Sequence, residues 1–238
     1  IIVAIGTISK ICEPSFLGQQ ILKLIAHYRD LRPEDYTLPK LIADCVIQIV
    51  SKAGEILQEE QGMWRELLLC SYIGSFEENS DVQASWSQLF AEVVIQSGHG
   101  TRESAIKAVF TSVVQTTAIL MTSLSWNKRN QALSALNDLI ALFPSGILAP
   151  NTAVVILAIF KVIPGQMWKG KENTLKTLAL LIEKCPQCVD DQDCSSNLFS
   201  VFPLANGAAC CADDLKVLVK LEDTQSRAGL LEKINERL

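Results

Sequence analysis

Trp126 to Pro144 overlays Trp168 to Pro186 without a gap, at an offset of 42 residues. Six of the nineteen paired positions are identical: Trp126 with Trp168, Leu133 with Leu175, Leu136 with Leu178, Leu139 and Ile140 with Leu181 and Ile182, and Pro144 with Pro186. The apolar matches form one stripe of a helix. Proline, which cannot continue a helix, follows each stripe at the same distance. Between the copies, Pro150 to Ile163 reads as a second apolar helix ended by Pro164 and Gly165. Each unit is therefore a pair of helices. A pair of this kind cannot cover both of its apolar faces, so neighbouring pairs must stack. Trp86 lies forty residues before Trp126, but the residues after it do not line up, and it is not counted as a further copy.

A period of 42 falls within the ~40–47 residues of HEAT and armadillo repeats. The expected fold is all-α: an α-α superhelix, a HEAT/armadillo-like solenoid of stacked antiparallel helix pairs. Composition agrees, with 49% hydrophobic residues and only 12 Gly and 8 Pro among 238, too few turn formers for a sandwich or barrel. Helical periodicity runs through Phe16 to Tyr28, Leu41 to Val50, Met63 to Ile73 and Trp86 to Val94. Ser80 or Asp81 is expected to cap the last of these, and Thr101 a long helix from Arg102 to about Met121. Repeats are expected over residues 1–186, with the best-defined copies at 102–144 and 147–186. Residues 187–209, rich in Cys and Asp, read as an irregular connection, and 210–238 as C-terminal helices. The apolar start, Ile1 to Ile8, reads as a face left for a preceding repeat, and the chain as a fragment of a longer protein.

The net charge of −5 provides no global basic field for nucleic acid or anionic lipid. Two long uncharged stretches, Ala108 to Asn127 and Leu139 to Phe160, raise the question of a membrane span. The first carries many Ser, Thr and Gln residues and the second is broken by Pro144, Gly146 and Pro150, so both read as helices buried among helices. No membrane insertion and no nucleic-acid partner are expected.

Eight cysteines invite a metal reading. Cys185 and Cys188 have the C-x₂-C spacing that grips zinc, but the second half of the site would fall to Cys194 and the adjacent pair Cys210 and Cys211, a poor clamp with no His nearby. Reduced thiols and no metal are expected. Gly165 to Lys171 satisfies G-x₄-G-K, the phosphate-cradling pattern; the next residue is Glu172, where Mg²⁺ coordination needs a hydroxyl. A nucleotide-binding enzyme using this loop is the weaker reading, and no cofactor is expected. Gly98 to Thr101, ahead of a helix, offers amides to an anion, although a helix connector uses the same residues. His27, in an apolar stripe, is expected to be partly buried. The two histidines are isolated and the carboxylates scattered, so no catalytic constellation is found.

Lys128 and Arg129 follow Trp126; Lys169 and Lys171 follow Trp168. Cations in a helix's first turn oppose its dipole, and two equivalent sites make the same unfavourable choice. Two readings stand side by side: a basic ridge facing an acidic partner, or cations that pack on their Trp or pair with a neighbouring repeat.

The string Gly165 to Lys176, GQMWKGKENTLK, resembles the G-x-x-W-x-G-K-E-x-x-L-K segment near the C-terminal end of the large HEAT-repeat proteasome adaptor and scaffold proteins. Ser123, Ser125, Trp126 and Gln131 resemble the S-x-S-W helix start one repeat earlier in that family, and the match covers about Gly98 to Pro186. The resemblance implies a non-catalytic scaffold, cytoplasmic and also nuclear. It would bind proteasome regulatory and core particle subunits, support or monitor their association, and have links to trafficking or motor proteins. Trp126, Lys128, Arg129, Trp168, Lys169 and Lys171 are the candidate partner-binding residues. A HEAT-repeat scaffold for other cargo, such as a transport factor, is the alternative.

Overall fold

The computed structural model describes residues 13–31, 35–162 and 170–186, and every regular element among them is a helix. In chain order these are α1 (Pro14–Asp30), α2 (Thr37–Ala53), α3 (Gln61–Gly74), α4 (Ser80–Gln96), α5 (Arg102–Met121), α6 (Trp126–Leu142), α7 (Ser145–Leu148), a 3₁₀ turn (Ala149–Asn151), α8 (Thr152–Val162) and α9 (Glu172–Lys184). They divide into two units, up to Val113 and from Val114. The apolar start, the irregular Cys/Asp-rich connection and the C-terminal helices read from the sequence lie outside the described residues.

Local chemistry sets the helix starts. Asn79 caps α4, its Oδ1 accepting the backbone N–H groups of Asp81 and Val82 at 3.1 and 3.2 Å. The cap therefore sits one residue before the expected Ser80 or Asp81, because Ser80 is already helical. Thr101 Oγ1 accepts from the Ser104 N–H at 3.2 Å and starts α5 where the sequence predicts. Gly98 and Gly100 turn the chain between α4 and α5 with φ of +76° and +72°, which side chains with a Cβ rarely adopt.

In the first unit α2 packs on α4, α1 on α3, and α3 on α4. Stripes at i, i+3 and i+4 supply the interior, Ile21 and Ile25 from α1, Val46 and Val50 from α2, Leu67 from α3 and Leu89 from α4, all buried. Trp86 stands at the centre. Its ring lies 4.2 Å from that of Tyr28, whose hydroxyl donates to Glu77 Oε1 at 2.6 Å. A Cβ on Gly74 would come within 2.6 Å of the indole, so only glycine lets α3 approach it. The indole N–H of Trp86 is buried without a partner; that of Trp64 donates to the Leu57 carbonyl at 2.8 Å. Trp86 thus contributes shape and area. It is a mid-helix core residue, whereas Trp126 opens α6 and is partly exposed, which accounts for the failed overlay between them.

α5 is long and apolar enough to cross a bilayer by length and composition, and it buries Ala105, Ile106, Val109, Val113 and Val114 within the protein.

In the second unit the two helices related by the 42-residue offset pack directly on each other, α6 against α9, with α9 also touching α8. Burial repeats with the sequence: Leu136 and Leu178, Leu139 and Leu181, Ile140 and Ile182 are all buried. So are three pairs that are not identical, Ala132 with Thr174, Ala135 with Thr177, and Phe143 with Cys185. Both helices end immediately before the residue preceding proline, at Leu142 and Lys184. Lys184 Nζ donates to the carbonyls of Ala141 and Phe143 at 3.1 and 3.3 Å, satisfying acceptors that the end of α6 leaves open.

The correspondence fails at the other end. α6 starts at Trp126, but α9 starts at Glu172, four residues after the position that matches Trp126. Gly170 has φ +95°, and a Cβ there would collide with the Asn130 side chain. The Pro150 segment also departs from a single helix: α7 and the 3₁₀ turn precede α8, since proline removes a donor and crowds the turn before it.

Trp86→Ala is expected to cost ~3–5 kcal/mol, the range for a buried Trp left as a cavity, read from urea unfolding. Gly170→Ala is expected to cost ~1–3 kcal/mol through its left-handed backbone and the Asn130 contact, while Gly146→Ala, with no atom near its added Cβ, leaves the midpoint unchanged.

Candidate partner-binding surface

The corner between α5 and α6 is built from short-range hydrogen bonds. The N–H groups of Thr122 and Ser123 donate to the carbonyls of Ile119 and Leu120, each at 3.0 Å, and bring α5 to its end. Ser125 is extended and precedes α6, its N–H donating to Ser123 Oγ at 3.2 Å, although its own side chain makes no cap bond. Arg129 Nε donates to the Ser123 carbonyl at 2.5 Å, closing the loop onto the first turns of α6. Lys128 Nζ donates to the Oε1 of buried Gln131 at 3.3 Å.

These contacts speak to the two readings of the basic residues. Lys128 and Arg129 are half-buried and engaged with their own chain. A hydrogen bond to a carbonyl offsets the cost of a cation near a helix start. Lys171 is half-buried at the start of α9, and its neighbour Gly170 abuts Asn130, the residue after Arg129. The structure thus brings the Arg129 and Lys171 segments to one junction between the repeat-related helices. Trp168 and Lys169 lie outside the described residues.

The same corner exposes apolar surface that sequence reasoning missed. Leu124 is 99% exposed and Ile119 70%, and Trp126 retains 36% of its surface. Three large apolar residues thus stand exposed within eight positions of the chain. The one signal available was Leu124 itself, apolar in the otherwise polar string Thr122 to Ser125.

Other candidates resolve differently. The nucleotide loop needs a strand before Gly165; that place is taken by helix α8. Gly165 to Lys169 lie outside the described residues, and Gly170 and Lys171 turn into α9. Gly98 to Thr101 forms the helix connector already described. His27 is exposed, not partly buried, because α1 turns Ile21, Ile25 and Tyr28 inward. Among the described residues no three His, Cys, Asp or Glu side chains form a group that could hold a metal ion. Cys185 is a buried free thiol whose pKa is raised by burial against the opposing charge of Lys184; Cys188, Cys194, Cys210 and Cys211 lie outside the described residues. A charged cluster the sequence did not reveal joins α1 to α3: Arg29 Nη2 donates to Glu66 at 2.6 Å and its Nε to Cys70 Sγ at 3.1 Å. Burial would lower the Arg29 pKa, but Cys70 and Glu66 outweigh it and hold the guanidinium above its ordinary value.

No family model and no curated protein matches the chain. Among solved structures, a crystal structure of an engineered protein aligns over 98% of this chain and 88% of its own, at 16% identity and a TM-score of 0.37, too distant to bear on fold or function.

Proposed function

We propose that this chain is a non-catalytic scaffold segment, a HEAT-like solenoid whose repeats present corners such as Ile119 to Arg129 to protein partners. The observation that carries this reading is the side-by-side packing of α6 and α9, helices one 42-residue period apart, with Lys184 bonded to the end of the preceding copy. Stacking of equivalent helices is how repeat arrays build extended binding surfaces. The resemblance of Gly165 to Lys176 and Ser123 to Trp126 to proteasome adaptors names the partner: regulatory and core particle subunits, encountered in the cytoplasm and nucleus. On this reading the exposed apolar corner supplies the anchor. Lys128, Arg129, Lys169 and Lys171 supply a basic setting for an acidic subunit surface, the charges tuning association more than affinity.

The test is an affinity pull-down from cell extract, scored for proteasome subunits against transport receptors and trafficking or motor proteins. Proteasome subunits are expected on the native chain. Leu124→Asp, at a position with almost no contacts to lose, is expected to reduce their recovery at least tenfold with the circular dichroism spectrum unchanged; charge reversal at Lys169 and Lys171 is expected to weaken it further. Recovery of transport receptors instead would move the chain to the other-cargo reading, and undiminished binding by Leu124→Asp would remove the corner from the interface.

A further inference from the structure

The turn that follows α2 crosses one end of the first unit. A Cβ on Gly54, at the end of α2, would collide with the side chain of Gln96, the last residue of α4. A Cβ on Gly18, near the start of α1, would lie 3.5 Å from Glu60 Cγ. The chain from Gly54 to Glu60 therefore bridges the end of α4 and the start of α1. Each of these three segments leaves one large apolar side chain to water: Phe16 in α1, Ile56 in the turn and Ile95 in α4. Glu13, Glu55 and Glu59 are exposed among them, against one exposed base, Lys52. Apolar side chains offered together with one sign of charge set the chemistry of what binds, which here is apolar and basic.

The same chain carries a surface of that chemistry. At the α5 to α6 corner Ile119, Leu124 and Trp126 are exposed, and Lys128 and Arg129 follow. No carboxylate occurs in the sequence between Glu103 and Asp138. The bonds of Lys128 to the Gln131 amide and of Arg129 to the Ser123 carbonyl are made to uncharged acceptors, so they leave both charges in place. Ile56 and Leu124 are each exposed in the single chain, which leaves both surfaces to a second copy. Two unlike surfaces on one molecule make a heterologous contact, which extends from copy to copy instead of closing on itself.

We propose that the Ile119 to Arg129 corner of one copy docks on the acidic end of a second copy, at Phe16, Ile56 and Ile95, and joins the chains head to tail. The proposal uses the corner of the scaffold reading but not the identity of its partner, and Ile56→Asp, which leaves the corner intact, separates the two. Sedimentation velocity of the full chain at low salt is expected to show self-association with a dissociation constant on the order of 10–100 µM, as befits a small contact. High salt is expected to weaken it roughly fivefold, and Glu55→Lys with Glu59→Lys to weaken it as much at low salt. Ile56→Asp and Leu124→Asp, both at exposed positions, are each expected to sediment as monomers with unchanged circular dichroism. Their equimolar mixture is expected to form a dimer and nothing larger, because one intact end then meets one intact corner. A native chain that stays monomeric, a mixture that stays monomeric, or either variant associating by itself would overturn the proposal. Recovery of proteasome subunits on Ile56→Asp reports on the scaffold reading alone.

Discussion

A helix with apolar residues on two faces cannot be satisfied by one neighbour, and most of what this protein does structurally follows from that. α2 illustrates it: Ile42, Ala43, Val46, Ile47, Ile49 and Val50 are all buried, spread around more of the helix than one contact can cover. Burying each large side chain is worth ~1.5–3 kcal/mol, so leaving one face open would forfeit several such contributions. The solution is that α2 meets both α1 and α4, and α3 both α1 and α4. In the second unit the same demand brings α9 against α6 and α8. Helices stacked on neighbours, including the one two places later, need no single closed core.

Apolar stripes alone tolerate sliding, because one Leu fits nearly as well as the next along a helix. Specific contacts restrict it. Trp86 fits only over the missing side chain of Gly74, which fixes how closely α3 and α4 approach. Lys184 reaches two carbonyls at the end of α6, and Gly170 abuts Asn130, so the α6 and α9 pair is held at both ends. The exposed Arg29 and Glu66 pair adds little energy by itself, but its second bond, to Cys70 inside α3, requires α1 to sit at one register.

Periodicity made the helices legible because burial is a matter of spacing, and the proline stops were legible because proline acts through its own chemistry. α5 and the ends of α6 and α9 fall where those signals put them. The start of α9 did not. The Trp126 and Trp168 match suggested equal starts, whereas the turn at Gly170 depends on Asn130, forty residues away, which no local pattern displays. The candidate site divides in the same way. Basic residues after each Trp were visible, but that Arg129 folds back on the Ser123 carbonyl and Lys128 reaches Gln131 is decided by loop geometry. His27 misled because it lies beside the apolar stripe in sequence, whereas on the helix it shares the exposed side with Lys23 and Asp30. Cys185 was read as a candidate ligand by its spacing to Cys188; its place in the fold is that of Phe143 one repeat earlier, a buried filler before proline.

The same substitution logic bears on the exposed corner. At the end of α6, Phe143 and Cys185 exchange size but not burial, so that position is constrained by packing. At the α5 to α6 corner the constraint is different: the backbone turn is held by Ser123, Ser125 and Arg129, and none of those bonds needs Leu124 or the exposed part of Trp126. An apolar side chain that is 99% exposed gains nothing for the fold. Loops carried on a rigid framework are where binding residues are free to differ from packing residues. In a repeat array each such corner would contribute a modest contact, and contacts on one chain add through effective concentration. A scaffold assembled in this way would keep its stability in the stacked faces and its specificity in the turns between them.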